Sequence, residues 1–467
     1  MDKSRLIFLD TAHRLLDLYR NRCDCMEIRL EKNERNFIQF EGKDLSSFSS
    51  KSEYGGNVRV YYRGGWGFIS FNDLARLEKF AEEAYNQAVL ISSARKNDYL
   101  PLAPVSPCTK DIMTDILTDP AKVSVTDKLR QLENYNRQVL GFGPQIVSSR
   151  STYFDQVTHR DLLTTDGVSI SRSALDIGGS VIAIGRENDI TQQYAVGFGS
   201  SNDYAVFLNL DDEIKEACET VVSLLRAPKV KPGSYPVICD HVLGGVFVHE
   251  AFGHLSEADS TAENKKLREI MQIGRQFGQD HLNIYDTGLT LGARGYTPYD
   301  DEGVEGTKQY LVKNGRLCGR LHSRETAAKM GEQATGSARC ISYRYPPICR
   351  MRNTVIEQGN SSFEDMIKDI NLGVYAVKSK GGQTNGEMFS FAASKGYMIR
   401  NGKIAEMVRD VNLSGNVFTT LANIDMIGND QTLRDSGGGC GKNDQFPLPV
   451  SHESPHIRIQ NVVVGGE

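Results

Sequence analysis

Residues 244–254, GGVFVHEAFGH, place two of the chain's nine histidines, His249 and His254, five positions apart, with Glu250 directly after the first. Imidazole nitrogens ligate borderline metal ions well, and a carboxylate beside such a pair can act as base on an attacking water, so the combination signals a metal hydrolase. In the zinc-protease helix the histidines are four apart, which puts both rings on one face. Five residues turn a regular helix by about 500°, so the second ring points roughly 140° away from the first. This pair can chelate only if the backbone widens locally to i→i+5 pairing, a π-bulge, and Gly253 would relieve crowding in such a turn. The same residues also suit two buried histidines bonded to backbone. A third ligand separates the readings, because catalytic zinc takes three protein ligands and keeps one position open.

Candidates for that ligand are His241, Glu257, Asp259, His281, His322, His452, His456 and the cysteines. Cys440 stands out, in the stretch SGGGCGK at 436–442, where glycines let the backbone approach a site and leave the sulfur unobstructed. Two imidazoles and a thiolate with one open position make a workable catalytic shell. Lys442 is expected to be solvated rather than paired with the thiolate.

Such a site needs rigid elements around it. At 467 residues the chain exceeds a single ordinary core, so two domains are expected, and 39% hydrophobic with 24% charged residues is the balance of a soluble globular protein. A net charge of −5 without a dense Lys/Arg run argues against a nucleic-acid-binding surface. No apolar run approaches the roughly 18 residues that a membrane span requires. The first 21 residues, interrupted by Asp2, Asp10, Arg14 and Asp17, read as an amphipathic helix and not as a secretory signal. Nine cysteines without a staple pattern fit a reducing, cytoplasmic setting.

Strands are expected at 25–30 and 37–40 around a polar turn at 32–35, and a hairpin at 57–62 and 66–71, with Trp66 packed under a helix that Asp73 opens. After a proline-rich linker at 100–107 and a helix at 127–141, strand-like runs at 147–154, 159–164, 168–175, 180–186 and 193–197 suggest an antiparallel meander. A helix at 211–225 ends at the proline- and glycine-containing segment 227–235. The predicted class is therefore α+β. Residues 1–228 form an N-terminal domain with an antiparallel or mixed sheet and flanking helices. Residues 229–467 form a mostly β, barrel-like domain carrying the histidine motif, with a charged helix at 262–276 and Asn-Gly hairpin turns at 314–315 and 401–402.

The blocks HEAFGH, GTKQYLVKNGRL, ARCISYRYPPICRMRNT, LSGNVFTTLANIDMIGND and GGGCGK together resemble the TldD/PmbA family of metallopeptidases, and GGNVRVYYRGGWGFISF and ISRSALDIGGSVI extend the resemblance loosely into the first half. The resemblance implies a two-domain peptidase acting on unstructured peptides, with one Zn²⁺ per chain held by His249, His254 and Cys440, and with Glu250 as base. The family includes companion subunits that lack this set, so the chain resembles the catalytic TldD-type member. A dimer is implied, with itself or with a PmbA/TldE-type companion. The chain departs from the family's usual pattern at Cys349 and Arg352, which directs the expected difference to substrate preference.

The function expected is zinc-dependent hydrolysis of peptides or unfolded protein segments, held extended as an added strand, with the glycine-rich residues 380–384 either in that cleft or in a surface loop. Neither nucleic acid nor membrane is an expected partner. The alternative is a non-catalytic interaction or regulatory protein in a heteromeric complex, with a closed structural site to which His281 or Asp259 adds a fourth ligand.

Overall fold

Strands β1 (Cys25–Glu41), β2 (Asp44–Tyr62), β3 (Gly65–Phe71), β4 (Cys108–Met113), β5 (Ile146–Thr164), β6 (Val168–Glu187) and β7 (Ile190–Ser200) form one sheet in the order β3-β2-β1-β5-β6, with β4 and β7 both paired to β6. The structure, a computed structural model, describes residues 3–95, 99–433, 435 and 437–465; Asp2 of the first helix and Ser436 of the glycine-rich stretch lie outside them. Only β4 beside β6 is parallel, so the sheet is mixed. Helices α1 (Lys3–Tyr19) and α2 (Leu77–Ala94) pack on the β1–β3 end, and α3 (Val125–Gly141) and α4 (Asp211–Arg226) on the β5–β7 end. Asp73 caps the short 3₁₀ turn leading into α2, accepting from the Ala75 amide.

The expected turn at 32–35 is absent, since β1 runs straight through and pairs Lys32 with both Tyr54 and His159. The inward positions there are polar, and partners across the strands satisfy them: Arg160 bonds Glu31 at 2.6 Å and Thr158 bonds Asn33 at 2.7 Å. A polar buried face imitates a turn in sequence. The separate runs at 147–154 and 159–164 likewise fuse into β5, and those at 168–175 and 180–186 into β6. Gly179 lies within β6, where a Cβ would meet the Thr152 carbonyl at 2.1 Å. Trp66 does not pack under α2. The strand period of two turns Gly65 and Gly67 toward α2, where added Cβ atoms would stand 2.2 and 1.8 Å from helix carbonyls. Trp66 faces the other way, where its Nε1 donates to Glu325 at 2.9 Å and the Arg59 guanidinium stacks 3.6 Å from its ring centre.

In the second half, β8 (Gly233–Cys239) pairs with Leu372–Asn385 and with Ile457–Val464, and the ring is completed through Asn412–Asn416 and Met388–Arg400. These five strands form a closed barrel, which removes sheet edges along most of its wall. A second sheet contains Ile284–Thr287, Asn353–Ile356 and Ser451–Ser454. Helix α5 (His241–Val248) lies against both layers, burying Leu243, Phe247 and Val248 in the main core with Phe389 and Phe391. The charged helix at 262–276 is instead two short helices, Ala258–Glu263 and Lys265–Ile270, because the Asn264 side chain caps the second by accepting from the Leu267 amide. Buried ion pairs join the halves: Arg59 to Glu302 at 2.8 Å, Arg160 to Asp301 at 2.5 Å and Arg294 to Asp176 at 2.6 Å. Among the described residues no helix is long and apolar enough to cross a membrane.

Candidate metal centre

Asp240 fixes α5 to the barrel, accepting from the Leu243 amide at 2.9 Å and from the Lys378 amide at 3.0 Å. At His249 the helix widens. Residues His249–Gly253 are π-helical, and the His254 amide donates to the His249 carbonyl five residues back. The extra residue in the turn brings the two rings together, with centroids 5.2 Å apart and planes at 84°. Gly253 has an ordinary helical φ of −58°, so its glycine is needed for room. A Cβ there would lie 2.0 Å from Met351 Sδ. Gly253→Ala is therefore expected to cost about 1–3 kcal/mol by overpacking, measured by thermal or urea unfolding, with partial recovery when Met351 is shortened to Ala in the same chain.

Cys440 reaches the pair from a hairpin formed by Cys440–Lys442 and Gln445–Leu448. The buried Arg350 guanidinium holds it by donating to the Cys440 carbonyl at 2.8 Å and the Gln445 carbonyl at 3.3 Å, while Arg294 holds the Gly438 carbonyl. Cys440 Sγ lies 3.4 Å from His254 Nε2, and one ligating atom from each of His249, His254 and Cys440 lies within 4.8 Å of the others. Zinc–nitrogen and zinc–sulfur bonds of about 2.05 and 2.3 Å meeting at a tetrahedral angle set those atoms about 3.5 Å apart, so the donor set fits zinc. Burial would push the Cys440 thiol up, but the two imidazoles outweigh it and bring the thiol down to about 5. Burial likewise opposes charge on His254, yet Cys440 and Glu257 raise it to about 10. The lowered thiol favours the thiolate, the form that ligates metal. Glu250 is 28% exposed, with Oε2 4.0 Å from His254 Nε2.

Glu257, weighed above as a ligand, stands behind the ligands instead. Its carboxylate accepts from His254 Nδ1 at 3.0 Å and from the Met351 amide at 3.2 Å, and it pairs with Lys442 at 3.0 Å. Its burial is outweighed by the Lys442 charge and the His254 bond, which hold it down at about 2. Lys442 is not solvated; it bonds Asp259 at 2.7 Å and the Cys349 carbonyl at 2.9 Å, and so acts on Glu257 rather than on the thiolate. A carboxylate on the far nitrogen fixes the tautomer and orientation of a ligating histidine. Glu257→Gln is expected to weaken metal affinity about 10–100-fold, read by competition with a chromophoric chelator.

The remaining candidates go elsewhere. Asp259 is taken by Lys442, His281 is exposed, and His322 bonds Glu332 and Thr326. The buried ring of His452 lies 6.2 Å from that of His249. His281 and Asp259 therefore do not close a four-ligand site. Cys349 and Arg352 are both fully buried, Arg352 against Asp286.

Residues 26–88, 118–226 and 232–466 match, in turn, PmbA/TldA metallopeptidase domain 1, the central domain and the C-terminal domain. A metalloprotease of Synechocystis sp. is 41% identical over 458 residues, 98% of each chain. The chain belongs to the TldD/PmbA family of metallopeptidases. This TldD/PmbA chain is also 31% identical, over 446 residues, to the zinc metalloprotease TldD homolog of Saccharolobus solfataricus, covering 94% of this chain and 96% of that one. TldE from Thermococcus kodakarensis shares the fold, with a TM-score of 0.76 at 16% identity over 97% of this chain and all of its own. A Thermotoga maritima structure described as a candidate modulator of a DNA gyrase does so at 0.78 and 21%, over 98% of this chain and all of its own. The protein is a metallopeptidase. The first two matched segments share a single sheet, β1–β3 falling in one and β5–β7 in the other.

Proposed function

We propose that this metallopeptidase hydrolyses unstructured peptides or unfolded protein segments with one Zn²⁺ held by His249, His254 and Cys440, and with Glu250 as general base. The observation that carries this reading is the convergence of the three ligating atoms within 4.8 Å, with the partly exposed Glu250 carboxylate 4.0 Å from His254 Nε2. Bound there, zinc supplies Lewis acidity to the scissile carbonyl and the attacking water. Glu250 takes the proton of that water and delivers it to the leaving amine. His254 is held in register by Glu257, and Cys440 by Arg350.

The strand Leu372–Asn385 packs against the π-turn, and among the described residues its outer part, 379–385, pairs on one side only, with 388–393. An extended peptide adds to that free edge through backbone bonds, which a folded chain cannot offer. Residues 380–384 belong to this edge. The working unit is a cytoplasmic dimer of chains divided at 228/229, formed with a TldE-type companion or with a second copy; the TldE name of a structural neighbour supports the companion.

The test compares one protein substrate in its folded form and in its reduced, unfolded form. The unfolded form is expected to be cleaved at least about tenfold faster, with activity lost on chelation and restored by zinc. Equal rates on both forms would contradict recognition through an added strand.

A further inference from the structure

A second set of ligating groups converges at the opposite end of α5. His241, the first residue of that helix, comes together with Asp430 and His456, one ligating atom from each lying within 4.8 Å of the others. His456 Nδ1 is 2.6 Å from Asp430 Oδ2, and His241 Nε2 is 3.4 Å from the same oxygen. The two rings have centroids 4.4 Å apart. His456 and Asp430 are held from behind. His456 Nε2 lies 2.9 Å from the Tyr375 hydroxyl, and the ring packs on Phe363 with centroids 4.9 Å apart. Asp430 Oδ1 accepts from the His456 amide at 3.1 Å, which leaves Oδ2 facing the two imidazoles. A hydrogen-bonded far nitrogen and an oriented carboxylate are the supports that ligating residues receive. The Asp430 side chain is 36% exposed and that of His241 22%, which gives an ion a way in.

We propose that His241, Asp430 and His456 form a second metal site, taking a first-row divalent ion of the zinc class through two imidazoles and one carboxylate. The chemistry of the donors selects the ion, since nitrogen with a single carboxylate suits zinc, cobalt or nickel better than calcium or magnesium. From His241 to His249 is eight residues, about 12 Å along the helix, whereas paired catalytic metals stand about 3.5–4 Å apart. The second ion therefore does not share a substrate with the first. It ties the start of α5 to Asp430 and to His456, the residue before the barrel strand Ile457–Val464. His241 Nε2 also lies 2.8 Å from the Asp430 carbonyl, so hydrogen bonds alone are the competing account of the cluster.

Cobalt titration of the whole protein after chelator treatment separates these accounts. Wild type is expected to take up about two equivalents, of which only one gives a thiolate-to-cobalt charge-transfer band. Cys440→Ser loses that band and its equivalent. His241→Ala and Asp430→Asn each lose the other equivalent and keep the band. As a second readout, cobalt raises the thermal midpoint of Cys440→Ser but not of Cys440→Ser combined with His241→Ala. A single equivalent in wild type that carries the charge-transfer band, or a second one that survives both His241→Ala and Asp430→Asn, overturns the proposal. A missing band with a persisting His241-dependent equivalent would instead count against the Cys440 ligand and leave this site standing.

Discussion

Glu250→Gln is expected to keep the wild-type metal content while losing about 10²–10⁴-fold in kcat/KM on an unstructured peptide. The amide preserves the size of the side chain and cannot accept a proton. Glu250 stands 4.0 Å from His254 Nε2, outside the group of ligating atoms that converge within 4.8 Å, so its loss should leave the donor set intact. Steady-state kinetics and elemental analysis on the same preparations check both halves. A kcat/KM within a few-fold of wild type would remove Glu250 from the chemistry, and a fall in metal content would make it a ligand.

Arg352→Met should be the most destabilising single change in the support of the site, at about 3–5 kcal/mol, because it strands a buried charge. Arg352 and Asp286 are both 0% exposed; Arg352 Nε donates to Asp286 at 2.7 Å and the Arg352 amide donates to the same carboxylate at 2.9 Å. Removing the guanidinium leaves Asp286 without its counter-charge, and it leaves the Thr335 and Gly336 carbonyls without their donor. Asp286→Asn in the same chain should recover more than half of the loss, since the stranded charge is then gone. Calorimetric midpoints of wild type, the single variant and the double variant decide the matter. A single variant as stable as wild type would show that the pair contributes little.

The candidate metal centre is legible in the sequence where it is local. His249, Glu250 and His254 could be placed together because five residues and one π-turn are enough to juxtapose them. Cys440, 186 positions beyond His254, was reached through its glycine neighbours, a looser signal. The supporting residues were hidden for a different reason. Glu257 could be named as a ligand but not placed behind one, because the direction of a side chain depends on tertiary packing. Lys442 looked solvated because the carboxylates that bury it, Glu257 and Asp259, come from a segment far away in the chain. The barrel was legible as a β-rich half with too many edges to leave open. The long strands β1, β5 and β6 look broken in sequence because their middle positions carry polar residues that tertiary partners satisfy, as Thr158 does Asn33, Lys128 does Asp155 and Arg294 does Asp176. A period-two pattern cannot tell a polar interface from a turn.

The most direct test of the central claim is X-ray absorption at the zinc edge on wild type and Cys440→Ala. Wild type should show a sulfur scatterer at about 2.3 Å beside nitrogens at about 2.0–2.1 Å, with the sulfur gone in Cys440→Ala. A spectrum without sulfur in wild type, or one in which the sulfur survives the substitution, would contradict the assignment of His249, His254 and Cys440 as the metal centre.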